Sequence, residues 1–150
     1  MQKELKVSAI KDGTVIDRIP AENLFKVISI LGLEHIPNQI TFGTNLESRK
    51  LGRKSIIKVS DKFFEGDEIN KIALVAPQAK LNIIRNYEVV EKHNVDVPDE
   101  VIGYVKCMNP KCVTNHQPIT TRFRVISKSP LAFRCHFCEK TTNENQMVII

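Results

Sequence analysis

The sequence lacks the features that mark membrane and secreted proteins. None of its apolar runs reaches the roughly 18 residues that a membrane-spanning helix needs. Met1 to Glu4 are followed by no apolar signal core, and a composition of 42% hydrophobic and 26% charged residues is typical of a globular chain. We therefore expect a cytoplasmic protein of one or two small domains, with no membrane partner.

The common catalytic motifs are also missing. The sequence contains no GxGxxG, P-loop, GxSxG or HExxH motif, and none of its four histidines stands in a recognisable nucleophile or carboxylate arrangement. We therefore expect a protein that is not an enzyme.

Basic residues outnumber acidic ones, but no basic arm is present. The net charge is +5; residues 1–92 contain 15 Lys and Arg against 12 Asp and Glu, and residues 93–150 contain 7 against 5. Aromatic residues, which stack on single-stranded bases, make up only 6% of the chain. An excess that is spread over both halves is typical of a solvated surface, so nucleic-acid binding is not favoured.

All four cysteines lie in the last third of the chain. Cys107 and Cys112 form a C-x4-C pair, and after 22 residues Cys135 and Cys138 form a C-x2-C pair. Two short chelating turns separated by the length of a β-hairpin predict one structural zinc ion held by four thiolates, with no open position for water. Two disulfides or a redox pair are the alternatives, and a zinc ribbon that binds nucleic acid is the alternative function.

The periodicity of the first 92 residues predicts an α+β fold. The predicted strands are residues 5–10, 14–19, 40–46, 54–60 and 80–92, with an Asp-Gly turn at 12–13 and a kink or bulge in the last strand near Arg85 and Asn86. One helix is expected to begin at Pro20 and to end at Gly32, and a second to cover 67–76. The order of these elements matches a ferredoxin-like (βαββαβ) antiparallel sheet with two helices on one face.

Residues 93–101 have few large apolar side chains and predict a linker between two domains. Beyond it, residues 102–150 predict a small all-β zinc-binding domain, with strands near 119–125, 131–135 and 147–150. Such a small unit buries little surface, so the metal ion is expected to supply much of its stability.

Two lysines of the first domain lie on one side of a predicted strand. Lys54 and Lys58 are four residues apart, which places them on the same face about 13 Å from each other. Lys92 joins them if the last strand lies near. Three ammonium groups on a sheet surface can hold a phosphate ester, and three unrelated exposed lysines are the alternative.

Several segments together resemble the regulatory chain of aspartate carbamoyltransferase. They are GTVIDRIP at 13–20, GRK at 52–54, APQA at 76–79, NYEVV at 86–90 and the four cysteines. The resemblance spans nearly the whole chain. It implies a non-catalytic subunit of pyrimidine biosynthesis that dimerises through residues 1–92, an allosteric nucleotide-binding domain, and docks on the catalytic chain through residues 102–150. In that family CTP, sometimes with UTP, inhibits and ATP activates.

The resemblance also implies which residues bind the nucleotide. By position they are Val7, Ser8, Ala9, Ile10, Asp17, Arg18, Lys54, Lys58, Asn82, Ile84, Tyr87, Val89 and Lys92. Backbone groups would read the base, Asp17 and Lys58 would contact ribose or base, and Lys92 the phosphates. The chain departs from the family it resembles at three positions. Ser8 and Arg18 stand where the family usually has glutamate and histidine, and Lys111 stands where it usually has an amide side chain.

Overall fold

The computed structural model describes residues 9–49 and 52–150, which divide into two compact units. Unit 1 ends at Asp96, and unit 2 is Val97–Ile150. Most of the strand predicted at 5–10, including Val7 and Ser8, lies outside the described residues, and Ala9 and Ile10 belong to no strand. Among the described residues, no helix is long and apolar enough to cross a bilayer.

Unit 1 contains one antiparallel sheet and two short helices. The elements are β1 (Gly13–Pro20), α1 (Leu24–Ile30), β2 (Ile40–Ser48), β3 (Gly52–Ser60), α2 (Gly66–Ile72), β4 (Lys80–Arg85) and β5 (Glu88–Asn94). The sheet order is β2-β3-β1-β4-β5. Its first four strands have the ferredoxin-like order, so the predicted fold class is confirmed, and β5 extends the sheet at one edge.

The helices begin and end at positions that differ from the prediction. Pro20 is the last residue of β1, because its ψ of 135° keeps the chain extended, and a 3₁₀ turn at Ala21–Asn23 precedes α1. Glu65 and Glu68 form a capping box that fixes the start of α2. The second helix ends at Ile72 rather than at residue 76, since the next residues form turns with buried side chains.

The core of unit 1 lies between the sheet and its helices. Strand side chains that point to this side are fully buried, as in Ile16, Ile57 and Leu81. Leu24 and Val27 of α1 are also buried. Because side chains alternate along a strand, the other side of the sheet receives the intervening, more polar residues.

The prediction of one long strand over residues 80–92 is wrong. The chain turns back at Asn86 and Tyr87, whose φ angles are +51° and +65°, so β4 and β5 form a hairpin with a two-residue loop. Two successive positive φ angles define a type I′ turn, which normally prefers Asn-Gly. Because tyrosine occupies the second position, where glycine is usual, the sequence pattern does not reveal this turn.

Unit 2 is all-β, as predicted. Its strands are β6 (Glu100–Ile102), β7 (Val105–Lys106), β8 (Arg122–Lys128), β9 (Leu131–Cys135), β10 (Thr141–Asn143) and β11 (Val148–Ile149). They form a four-stranded sheet in the order β10-β9-β8-β6 and a two-stranded sheet of β11 and β7. Phe123 and Phe133 are buried edge-to-face with ring centroids 4.9 Å apart. This pair forms the centre of a small core.

We expect replacement of Tyr87 by glycine to stabilise the protein by about 1 kcal/mol, because a non-glycine residue at positive φ costs roughly that much. Tyr87 is 67% exposed, so little packing is lost. The free energy of unfolding in urea measures the gain. Tyr87→Ala, which removes the ring but keeps a Cβ, is the control and should give no gain; equal effects of the two variants would contradict the assignment of strain.

Candidate functional site

The four cysteines converge on one point in unit 2. Their sulfur atoms all lie within 4.8 Å of one another, with Sγ–Sγ distances of 3.6 Å from Cys107 to Cys138 and 3.7 Å from Cys112 to Cys135. The edge of a tetrahedron with 2.3 Å zinc–sulfur bonds is about 3.8 Å. All four thiols are free, so the arrangement fits a bound metal ion and not the disulfide alternative.

The first metal loop, residues 107–112, is held by backbone and amide hydrogen bonds. The Cys112 N–H donates to the Asn109 carbonyl at 3.0 Å. The Asn115 side chain donates to the carbonyls of both Cys107 and Asn109, at 3.0 and 2.7 Å. His116 is exposed and its ring contacts the Pro110 carbonyl at 2.8 Å. Asn115 was not predicted, since only the folded loop shows which carbonyls it reaches.

The second metal loop, residues 135–138, follows directly from β9. The Phe137 N–H donates to the Cys135 sulfur at 3.4 Å, and the Glu139 N–H donates to the Cys135 carbonyl at 3.0 Å. Glu139 adopts a φ of +63°, which returns the chain toward β10. His136 is exposed and packs edge-to-face on Phe137. Neither His116 nor His136 belongs to the sulfur cluster.

The thiols differ in their acidity. Burial raises the pKa of Cys107 and of Cys135 above the ordinary value. Burial also acts upward on Cys138, but hydrogen bonds from the Lys140 backbone and the Asn109 side chain outweigh it and lower the pKa of Cys138 to about 7. A metal ion binds thiolates, so it must displace the protons of Cys107 and Cys135, and its affinity falls as the pH falls.

On the side of the sheet away from the helices, two lysines and an asparagine of unit 1 lie in one row with a valine. Strand register places Lys58 of β3 opposite Val15 of β1, Val15 opposite Asn82 of β4, and Asn82 opposite Lys92 of β5. Paired residues share a face, so this row crosses four strands over roughly 14 Å. Ile84 and Val89, also paired, lie on the same face.

An ion pair lies at one end of this face. The Lys54 ammonium is 2.9 Å from the Asp17 carboxylate, and both side chains are one quarter exposed. The Asp17 carboxylate also accepts a 2.7 Å hydrogen bond from the Arg18 N–H. Arg18 has a φ of +60° within the bulge of β1, so the strand is locally distorted beside Asp17.

Lys58 is the most buried lysine of the predicted set. It is only 8% exposed, and burial lowers the pKa of its ammonium. Lys92 and Tyr87, by contrast, are exposed. The Tyr87 N–H donates to the Lys11 carbonyl at 2.9 Å, which holds the β4-β5 turn against the segment before β1. The predicted nucleotide-binding residues that the structure describes therefore lie on one face of the sheet, in the bulge of β1, in the β4-β5 turn and in the segment before β1.

These features define a class of protein: an α+β chain with a ferredoxin-like unit and a separate all-β unit whose four thiols fit a structural metal ion. Comparison with known proteins is more specific. The aspartate carbamoyltransferase regulatory chain, allosteric domain, matches residues 5–96, and the metal binding domain of the same chain matches residues 99–148. This chain belongs to the family of aspartate carbamoyltransferase regulatory chains, which are non-catalytic subunits.

Individual relatives agree over nearly the full length. The aspartate carbamoyltransferase regulatory chain of Bacteroides fragilis is 56% identical over 149 residues, which cover 99% of this chain and 97% of the relative. That of Pyrococcus horikoshii is 56% identical over 147 residues, covering 97% of each. That of Parabacteroides distasonis is 55% identical over 148 residues, covering 99% and 96%.

We expect Cys112→Ala to abolish stoichiometric metal binding and to unfold unit 2, because metal-binding free energies of roughly 10–16 kcal/mol become folding free energy in small metal domains. Elemental analysis of the purified chain gives the metal content, and hydrogen exchange of the unit 2 amides reports folding. His116→Ala, a neighbour outside the sulfur cluster, is the matched control and should keep its metal. A folded, metal-free Cys112→Ala chain would contradict the expected role.

Proposed function

We propose that this regulatory chain binds CTP and UTP as inhibitors and ATP as activator on the helix-free face of unit 1. The row of Lys58, Asn82 and Lys92 across the sheet is the observation that supports the proposal most strongly. It offers ammonium groups to phosphates and an amide to a ribose or base, within a span that suits a nucleotide. Backbone groups of Ala9, Ile10, Tyr87 and Val89 would then read the base edge.

The proposed roles follow from the environment of each group. A partly desolvated ammonium such as that of Lys58 is stabilised when an anion arrives, because burial has weakened its protonated form. Asp17 is held by Lys54 and accepts from the Arg18 N–H, so it is oriented to accept further from ribose hydroxyls. Arg18 supplies a guanidinium group whose planar fork of donors can bind phosphate oxygens.

We further propose zinc as the metal and unit 2 as the part that docks on the catalytic trimer. Four sulfur ligands at tetrahedral spacing suit zinc, and a closed set without a water position suits a structural role. In this proposal, residues 1–92 bind the nucleotide, residues 93–101 link the two units, and residues 102–150 bind the catalytic trimer. The protein works in the cytoplasm, where reduced thiols are maintained.

Transmission of the signal requires the nucleotide to bind two quaternary states with different affinities. A ligand shifts an equilibrium only by that difference, and coupling between such sites is typically about 1–3 kcal/mol. CTP and ATP compete for one site, so their opposite effects must come from contacts that differ between them. The base edge is where the two nucleotides differ, which gives the backbone groups near Ala9 and Tyr87 the discriminating role.

Reconstituted holoenzyme tests this function. Mixing the chain with catalytic trimers should give a larger complex whose rate falls with CTP and rises with ATP. Lys58→Met and Lys92→Met should each weaken CTP binding by about tenfold or more in calorimetry, since a hydrogen bond to a charged group contributes roughly 1.5–3 kcal/mol. Assembly should be unaffected. Lys26→Met, an exposed lysine on α1, is the control for charge. Unchanged CTP affinity in both variants would refute the proposed site.

We also propose that unit 1 forms the homodimer through the β2 edge. β2 is a nine-residue edge strand, and the exposed rings of Phe25 on α1 and Phe42 on β2 pack edge-to-face beside it at 6.1 Å. The rings are 68% and 46% exposed, which is costly for a monomer. A two-fold axis at this edge would pair β2 with its copy and cover both rings.

Phe25→Asp combined with Phe42→Asp should therefore convert the dimer to a monomer in analytical ultracentrifugation. Charges placed beside a sheet edge oppose strand pairing, and the apolar area lost at the interface is no longer available. Val90→Asp is the control, since Val90 is 51% exposed on the opposite edge strand β5. Dimers of the double variant, or monomers of the control alone, would place the interface elsewhere.

A further inference from the structure

A cavity of about 330 Å³ lies on the outer face of the four-stranded sheet of unit 2. Its lining includes the polar residues Glu100, Arg122, Arg124, Arg134, His136 and Glu139. They come from β6, β8, β9 and the second metal loop. Phe123 and Cys135 also border the cavity. The Phe123 side chain is nevertheless 1% exposed and packs edge-to-face on Phe133 in the core.

Two of the arginines face each other without an acid between them. Strand register places Arg124 of β8 directly opposite Arg134 of β9, and directly opposite side chains have Cβ atoms about 4.5–5.5 Å apart. Like charges in such a pair destabilise the sheet. Their juxtaposition therefore has a cost that an anion between them would remove.

Glu100 and Glu139 are the acids that line the cavity, and Glu100 is already paired with the third arginine. Glu100 is opposite Arg124 in the register, yet its carboxylate oxygens accept from Arg122, at 3.2 and 3.5 Å. Within residues 9–49 and 52–150, no ion pair involves Arg124 or Arg134. The N–H donors of both guanidinium groups therefore remain available to a ligand in the cavity.

We propose that this cavity is an oxyanion site, in which the Arg124 and Arg134 guanidinium groups bind a phosphate or carboxylate group. Planar guanidinium groups match the spacing of two oxygens in either anion and bind them bidentately. The Glu100–Arg122 pair flanks the site and limits its net positive charge, which favours one small anionic group over a long polyanion. Two sources share this chemistry: a free phosphate compound and an acidic side chain of the catalytic chain.

Inorganic phosphate is the probe for the isolated chain. Phosphate, balanced with chloride to constant ionic strength, should shift the Arg124 and Arg134 side-chain resonances in a saturable manner. In Arg124→Gln or Arg134→Gln, the shift of the remaining arginine should need at least about tenfold more phosphate, a loss of roughly 1.4 kcal/mol. Lys128→Gln, which removes a charge from the same strand outside the cavity, is the control and should behave as the wild type.

Assembly of the chain with catalytic trimers, measured at increasing phosphate concentration, identifies the source of the anion. Weaker assembly of the wild type, with no effect on the Arg124→Gln and Arg134→Gln double variant, identifies a carboxylate of the partner in the site. Assembly that is insensitive to phosphate identifies a free phosphate compound. A linear, non-saturating shift, or equal shifts in Lys128→Gln and the arginine variants, would overturn the oxyanion site and leave the nucleotide site of unit 1 untouched.

Discussion

The structure of unit 2 depends on bringing four thiols to a single point. A unit the size of Val97–Ile150 has one small core around Phe123 and Phe133, and such a core supplies little net stability after chain entropy is counted. The large apolar side chains of the two metal loops, Met108 and Phe137, are exposed at 38% and 42%. The loops are instead ordered by backbone hydrogen bonds and by the Asn115 amide, which leaves the sulfurs at the spacing that one metal ion requires.

In unit 1 the corresponding constraint is the alternation of side chains along the strands. Each strand that buries Ile16, Ile57 or Leu81 beneath the helices must present its intervening residues on the other face. The antiparallel register then decides which of these residues become neighbours. Lys58 and Lys92 are 34 positions apart in the chain but lie in one row, because β1 and β4 are inserted between their strands.

The sequence predicts local patterns well and long-range register poorly. Cysteine spacing was sufficient to predict the sulfur cluster, and element order was sufficient for the ferredoxin-like class. The β4-β5 hairpin was missed because Asn86-Tyr87 lacks the glycine that usually marks its turn. The Arg124–Arg134 pair could not have been predicted either, since their opposition depends on the bulge and register of the β8-β9 hairpin.

The two sheets also differ in how they treat charge. On the helix-free face of unit 1, the Lys54 ammonium is 2.9 Å from the Asp17 carboxylate, so the positive charge of that face is partly compensated within the fold. In unit 2, Glu100 compensates Arg122 and leaves Arg124 and Arg134 facing each other. Electrostatic free energy falls when such an excess of positive charge meets an anion, and an anion shifts an equilibrium between two states only by the difference between its affinities for them. The positive charge that the fold of unit 2 leaves uncompensated is therefore concentrated where Arg124 and Arg134 face each other, which is the arrangement that an anion would stabilise most.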